Sequence, residues 1–224
     1  QQGADFDLRT IFDDTLVQKE PWYAVTFVDN HDTQPGQSLE SWISSWFKPL
    51  AYALILLREG GVPCVFYGDL YGTREFRKEM KNEVTGQDDS FPIRPVAPCS
   101  SLKTLLKARE LYCCGEQKDY FEEKNCIAWS RGDNMVVVMS NGKEDEIAIE
   151  FGAPGQVFID LLGNDTRPVV IDKNGIGRFR TRGNSVSVWV PNAMIIPRFF
   201  FCTDFSSFGL EFKKRRQHSC RLCV

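Results

Sequence analysis

Four consecutive polar residues, Asp29-Asn30-His31-Asp32, follow an apolar run and have side chains that could carry chemistry. A histidine beside an aspartate can hydrogen-bond the hydroxyl groups of a sugar, bind a metal ion or carry protons. The same residue types also form turns that cap a following helix, because Asp and Asn side chains accept hydrogen bonds from backbone N–H groups. His31 is the only histidine before residue 218, so a site built from several histidines is excluded there.

Two apolar runs must position this tetrapeptide. Residues 23–28 form a continuous, β-branched run that predicts a strand buried on both faces, and residues 62–67 form a second, short buried strand. The spacing of apolar residues around them predicts helices over 5–18, 39–47, 50–59 and 102–112. Alternating helices and strands imply parallel strands with right-handed crossovers. Working residues of such folds collect at the carboxyl ends of the strands, where the tetrapeptide lies.

Prolines and glycines mark the ends of these predicted elements. Pro49 suits the first turn of a helix, where its missing N–H would have no intrahelical partner, and Gly60-Gly61 is a helix stop. Residues 73–100 are charged and contain prolines, so we expect a long loop there, with a partial helix at 74–84.

After residue 115 the pattern changes to short alternating runs separated by turn residues such as Asn141-Gly142 and Asn174-Gly175. Strands are predicted at 126–129, 135–139, 146–150, 157–161, 168–171, 177–180 and 185–190. This spacing is typical of an antiparallel sandwich or barrel of about seven strands.

Composition excludes several classes of protein. With 42% hydrophobic and 25% charged residues, the chain is globular rather than disordered or coiled-coil. No apolar run reaches the roughly 20 residues that span a bilayer, so no membrane partner is expected. Residues 195–224 carry a charge of +4 and the rest carries −7, and an acidic body argues against nucleic acid as a partner. Cys64 and Cys126 lie in apolar runs, which favours buried thiols and a reducing, cytoplasmic location over a secreted one.

Three longer stretches, at 24–41, 46–53 and 65–72, carry a resemblance to a known family. Their most specific parts are Phe27-Val28-Asp29-Asn30-His31-Asp32, Trp46-Phe47-Lys48-Pro49 and Val65-Phe66-Tyr67-Gly68-Asp69. Together they closely resemble the α-amylase family of glycoside hydrolases, family 13, in the branch of liquefying bacterial and intracellular fungal enzymes. The resemblance is specific over residues 3–72 and looser as far as residue 191.

The resemblance implies a (β/α)8 barrel followed by a Greek-key β domain, with the predicted strands at 23–28 and 62–67 as barrel strands 7 and 8. It implies a retaining hydrolase of internal α-1,4 bonds in starch or glycogen. Asp32 would be a catalytic carboxylate, and His31 and Asn30 would bind substrate. Tyr67 is a further candidate for binding sugar, although an aromatic residue at a strand end can equally be packing, and Asp69 is expected to be a local turn acceptor.

Retaining glycosidases need a nucleophile and an acid/base carboxyl about 5 Å apart. In this family those groups follow barrel strands 4 and 5, so the resemblance implies a carboxyl-terminal fragment that lacks both and is inactive alone. The rival interpretations are an inactive glucan-binding relative and a structural remnant.

Calcium is the cofactor that the resemblance implies. The family pattern has a His-Asp pair where this chain has Lys118-Asp119, and a charged lysine has no lone pair to donate. Asp119 therefore remains the single candidate metal ligand, through its carboxylate oxygens. The expected division is a partial barrel over 1–115, a β domain over 116–193 and a basic tail over 194–224 that is disordered or an artefact of the gene prediction.

Overall fold

The computed structural model describes residues 3–74, 76–81, 88–93 and 95–192. Their α-helices are α1 (Leu16–Lys19), α2 (Lys48–Leu57), α3 (Tyr67–Tyr71) and α4 (Leu102–Tyr112). Four strands precede α4 in the chain: β1 (Val25–Phe27), β2 (Val62–Cys64), β3 (Phe76–Lys81) and β4 (Asp88–Ile93). The others are β5 (Gln117–Tyr120), β6 (Cys126–Arg131), β7 (Met135–Ser140), β8 (Asp145–Glu150), β9 (Val157–Asp160), β10 (Val169–Val170), β11 (Ile176–Thr181) and β12 (Ser185–Pro191).

The strands β1 and β2 pair in parallel, as predicted, with Val25 opposite Val62 and Phe27 opposite Cys64. The prediction that β1 is buried on both faces is wrong, since Val25 is 63% exposed and Phe27 is 51% exposed. The reason is that, within the described ranges, β1 and β2 form a sheet of two strands only. An apolar run predicts burial only where a covering layer is present.

The predicted helix over 5–18 is replaced by shorter turns. Two 3-10 helices, Gly3–Asp5 and Leu8–Thr10, precede α1. Asp7 caps the second of them by accepting a hydrogen bond from the backbone N–H of Arg9, at 3.0 Å. Asp14 has a positive φ of 59°, which a continuous helix does not allow, and Thr15 then caps α1. Local capping and the turn at Asp14 therefore divide residues 5–18, which apolar spacing alone predicts to be one helix.

Two other predicted helices are absent from the part of the chain that the structure describes. Residues 39–47 form no helix, because their backbone is tied back to the segment after β1: Ser41 donates its N–H to the carbonyl of Thr33, at 3.0 Å. In place of the partial helix at 74–84, β3 pairs antiparallel with β4.

The helix α2 joins the two strands of the parallel pair. Pro49 lies in its first turn, as predicted. Two carbonyl oxygens at its carboxyl end accept hydrogen bonds from other elements: Leu56 from the Arg109 side chain of α4, and Leu57 from Trp129 Nε1 of β6, at 3.3 Å. Gly61 then turns the chain into β2 with a φ of +84°, and a Cβ there would lie 2.8 Å from Thr26.

The carboxyl-terminal half forms a six-stranded antiparallel sheet in the order β10-β9-β12-β7-β6-β5, with β11 and β8 forming a second sheet of two strands. All seven predicted strands are confirmed, with shifted ends. The strand β5 was not predicted, because Gln117–Tyr120 is polar at three positions and shows no apolar alternation.

The central strands β6 and β7 are buried along their whole length because they pack on both sides. On one side, Trp129 and Val137 belong to an apolar cluster with Leu57 of α2 and Leu105 of α4. On the other side, the cluster includes the aromatic rings of Phe151, Phe158, Phe179 and Trp189. The first cluster contains residues from both sides of the predicted domain boundary at 115, so the sheet and the helices share a core.

None of the helices that the structure describes has the length and apolar character needed to cross a bilayer. The predicted tail over 194–224, with three of the eight cysteines, lies outside the described residues. The division into domains stays a prediction.

Candidate active site at the ends of the parallel strands

The carboxyl ends of β1 and β2 meet at one edge because the strands run in parallel. His31 and Asp32 lie four and five residues beyond the end of β1 and are exposed, with side-chain exposures of 82% and 59%. His31 Nε2 is 3.4 Å from Asp32 Oδ1. The structure thus brings these two predicted site residues together at the surface, where both can reach a ligand. Their roles stay predictions.

Asn30 shapes the turn that presents them. Its Oδ1 accepts hydrogen bonds from the backbone N–H groups of Asp32 and Thr33, both at 2.9 Å. This is the capping behaviour that Asx residues show in turns. Because the side-chain oxygen is already used, only the amide NH2 group of Asn30 is left for the predicted sugar contact.

A buried cluster of charges lies directly beneath this turn. Lys48 Nζ is 2.7 Å from Asp29 Oδ2 and also contacts Asp69 Oδ1, while the Tyr52 hydroxyl donates to Asp69 Oδ2 at 2.7 Å. Lys48 and Asp29 are each 3% exposed, and Asp69 and Tyr52 are fully buried. The expectation that Asp69 is a local turn acceptor is wrong for its side chain, which binds Lys48 and Tyr52 instead.

Sequence reasoning assigned no role to Lys48 or Tyr52. One available signal was a lysine in the first turn of a helix whose other residues are apolar, a position where the helix dipole disfavours a cation. Such a lysine needs acidic partners, and Asp29 and Asp69, which each follow a strand, were candidates, although other acidic residues lie nearer in the sequence.

The buried environment changes the titration of two of these groups. Burial alone would lower the pKa of Lys48, but its hydrogen bonds to Asp29 and Asp69 outweigh that effect and raise it. Burial raises the pKa of Tyr52, and the hydrogen bond to Asp69 raises it further. Both groups therefore keep their protons in the folded chain at pH values where the unfolded chain loses them.

The free energy of unfolding is accordingly expected to fall as pH rises above about 10, where the unfolded tyrosine begins to ionise. Tyr52→Phe removes one of these protons, so its free energy of unfolding should fall less steeply, by up to about 1.4 kcal/mol per pH unit. Urea unfolding at several pH values between 8 and 11 measures both slopes. Tyr71→Phe, at an exposed tyrosine, is the matched control and should keep the original slope. Equal slopes for Tyr52→Phe and the unmodified chain would contradict the expectation.

Tyr67 begins α3, three residues beyond the end of β2, and is 67% exposed. Its ring packs against that of Tyr71, with 4.8 Å between the centroids. Lys103 Nζ lies 5.6 Å from the centroid of the Tyr71 ring. The pair forms an exposed aromatic surface, and binding of substrate by Tyr67 stays a prediction.

No family model matches the chain. A cytoplasmic alpha-amylase from Escherichia coli K12 is 45% identical over 203 residues, which are 87% of this chain. An alpha-amylase from Geobacillus stearothermophilus is 40% identical over 85% of the chain, and a glucan 1,4-alpha-maltohexaosidase from Bacillus sp. strain 707 is 42% identical over 85%. The chain belongs to the α-amylase family of glycoside hydrolases.

This α-amylase-family chain spans 39%, 33% and 35% of the lengths of those three relatives. Among solved structures, a mutant α-amylase I from Eisenia fetida in complex with maltohexaose matches 74% of this chain and 40% of its own, with a TM-score of 0.50. At 16% sequence identity, that likeness concerns the fold alone. A predominantly β chain with few helices fits the carboxyl-terminal β region of an α-amylase.

Calcium, the metal implied by the α-amylase family, does not fit Asp119 in this structure. Both carboxylate oxygens of Asp119 face the guanidinium of Arg58, at 2.8 and 2.7 Å. The Arg58 guanidinium also lies over the rings of Phe12, Phe121 and Trp129, at 4.4–5.5 Å from their centroids. A fixed cation already neutralises this carboxylate and would repel Ca²⁺.

Across the described residues, no three His, Cys, Asp or Glu side chains lie close enough to hold a metal ion. Calcium therefore enters no step of the chemistry proposed for this chain, and the role of Asp119 as a ligand stays a prediction.

The cysteines that the structure describes in this α-amylase-family chain are free thiols, and the pKa values of two of them are strongly raised. Burial raises the pKa of Cys113 to about 11 and that of Cys126 to about 12. Because the thiolate is the reactive form, these two side chains are inert near neutral pH.

Proposed function

We propose that this chain carries part of the substrate-binding and catalytic face of an α-amylase-type hydrolase, which cleaves internal α-1,4 bonds of starch or glycogen with retention. The observation that carries the proposal is the exposed His31–Asp32 pair beyond the end of β1, in a chain of this family. In the proposal β1 and β2 are strands 7 and 8 of a (β/α)8 barrel, and the antiparallel sheet is a Greek-key domain beside it.

Asp32 is the proposed catalytic carboxylate. The transition state of glycoside hydrolysis resembles an oxocarbenium ion, so positive charge develops on the sugar ring. An ionised carboxylate held against the ring stabilises that state more than the uncharged ground state. His31 and the amide NH2 of Asn30 hydrogen-bond sugar hydroxyls, and the Tyr67 ring packs against a sugar face.

We assign the nucleophile and the acid/base carboxyl to no residue of this chain. Retention needs both groups about 5 Å apart across the scissile bond. The isolated chain is therefore proposed to bind α-glucan without hydrolysing it. A reducing-sugar assay on the refolded, monomeric chain with starch tests this part, and turnover above the buffer blank would overturn it.

Binding is tested by titrating the chain with maltohexaose and following heat or tyrosine fluorescence. Replacing Asp32 with alanine is expected to weaken binding about tenfold, since hydrogen bonds to charged groups contribute about 1.5–3 kcal/mol. Asp133→Ala, at an exposed turn of the sheet, is the matched control and should keep the original affinity. Equal affinities for both variants would remove Asp32 from the proposed binding face.

A cytoplasmic location is proposed as well. One relative is named a cytoplasmic alpha-amylase, and the cysteines that the structure describes are thiols, which suits a reducing compartment. Fractionation of cells that produce the protein tests this, and recovery from the secreted fraction would contradict it.

A further inference from the structure

We propose that Lys48 is a positioning residue, which fixes the turn carrying His31 and Asp32 by binding Asp29 beneath it. The consequence for glucan rests on the proposed function, whereas the positioning itself is a statement about the structure alone. Lys48 contacts no substrate in this proposal, since it is 3% exposed; it acts through Asp29.

The segment from Asp29 to Ile43 is a loop closed at its base by Asp29. Its Oδ1 accepts a hydrogen bond from the backbone N–H of Ile43, at 3.0 Å, while its Oδ2 faces Lys48 Nζ. Within the loop, the carbonyl of Thr33 accepts a hydrogen bond from the N–H of Ser41, and the N–H of Thr33 donates to Asn30 Oδ1. Both ends of the loop therefore meet at one carboxylate, whose direction depends on Lys48.

Lys48 also connects this loop to the neighbouring strand end. Its second partner is Asp69 in α3, whose other oxygen accepts from Tyr52 in α2. The backbone carbonyl of Asp69 accepts the N–H of Cys99 at 2.7 Å, which holds α3 in place from another segment. One ammonium group thus fixes the His31 side of the candidate site relative to α3, which begins with Tyr67.

The energetics favour a positioning role over simple packing. Lysine in the first turn of α2 opposes the helix dipole, and taking its charge out of water is unfavourable. An apolar side chain of similar volume would avoid both costs. What a buried ammonium adds is a specific pairing, since it lies 2.7 Å from the Asp29 carboxylate and donates a hydrogen bond to Asp69. The Trp42 ring, 5.9 Å from Nζ, belongs to the loop and lies over the charge.

The test follows backbone amide exchange and the His31 imidazole signals by NMR in the refolded chain. Asp29→Asn keeps the size of the side chain and an acceptor for Ile43, but removes the charge that Lys48 holds. We expect exchange at Ile43 and Thr33 to become at least tenfold faster and the His31 signals to shift, with exchange at Val137 in the sheet unchanged. Lys48→Arg keeps a cation and is expected to retain protection within about threefold.

Arg58→Met is the matched control, because it breaks an ion pair just beyond the opposite end of α2. It should leave exchange at Ile43 and the His31 signals as they are. Unchanged exchange in Asp29→Asn, or an equal increase at Val137 and Ile43, would overturn the positioning role. The affinity of the same variants for maltohexaose is measured separately. If exchange at Ile43 and Thr33 becomes faster in Asp29→Asn but neither the variants nor the unmodified chain binds glucan, the proposed function is contradicted and the role of Lys48 remains supported.

Discussion

Replacing Lys48 with methionine is expected to lower the free energy of unfolding by about 3–5 kcal/mol, which is what breaking a buried ion pair typically costs. The substitution leaves two carboxylates, those of Asp29 and Asp69, buried without a counter-charge. Urea unfolding monitored by tryptophan fluorescence measures the change. Because such a loss approaches the whole stability of many domains, the variant is compared at low temperature and in the presence of a stabilising osmolyte.

Lys107→Met is the control for this substitution, since Lys107 is exposed and, among the residues that the structure describes, forms an ion pair with Glu110 alone, in the same helix. We expect a change within about 0.5 kcal/mol there. Adding Asp29→Asn and Asp69→Asn to the Lys48→Met variant removes the uncompensated charges and should recover part of the lost stability. A loss at Lys48 no larger than that at Lys107 would show that the buried cluster contributes little.

Asp160→Asn is expected to destabilise the sheet by about 2–4 kcal/mol. The carboxylate of Asp160 is buried and accepts four backbone N–H groups, two on each oxygen. Oδ1 accepts from Leu162 and Val188, at 3.1 and 2.8 Å, and Oδ2 accepts from Asn164 and Asp165, at 2.9 and 3.1 Å. An amide replaces one acceptor oxygen with an NH2 donor, so two buried N–H groups lose their acceptor whichever way the amide turns.

The matched control is Asp172→Asn in the turn before β11. Asp172 also accepts two backbone N–H groups, from Asn174 and Ile176 at 2.8 and 2.9 Å, but both bind the same oxygen. An asparagine can keep both bonds, and the side chain is exposed, so a change below about 0.5 kcal/mol is expected. Thermal unfolding of both variants decides the matter, and similar losses at the two positions would contradict this account of Asp160.

The sheet was predictable because its signals are local. Turn residues delimit the strands, and the apolar runs between them are buried in the structure, as Val136–Val138 of β7 show. The helix α4 was likewise predicted at its observed bounds, because its apolar stripe packs on a neighbouring element. In these cases residue pattern and tertiary environment agree.

The errors fall where a long-range contact or a local cap outweighs the pattern. Residues 39–47 have helical spacing, yet the carboxylate of Asp29 binds the backbone of Ile43 and the segment forms no helix. Residues 5–18 also have that spacing, yet Asp14 interrupts them with a positive φ. No spacing rule links Lys48 to Asp29 and Asp69, because 19 and 21 residues separate these partners and only the fold brings them together.

The candidate site was predictable only in part. The pattern placed His31 and Asp32 beyond the carboxyl end of a strand, and the structure has both exposed after β1, while their roles stay predictions. The partner of Asp119 was not predictable, because Arg58 is 61 residues away in the chain.

The shared core has a consequence for how the molecule holds together. The apolar faces of α2 and α4 are covered by β6, β7 and β12. The antiparallel sheet therefore packs against the helices that adjoin the segment carrying His31 and Asp32. The boundary predicted at residue 115 separates two kinds of residue pattern, and the apolar cluster continues across it. Separating the polypeptide there would expose Leu57 and Leu105 on one piece and Trp129 on the other to water, and both pieces would lose the hydrophobic stabilisation of this shared cluster.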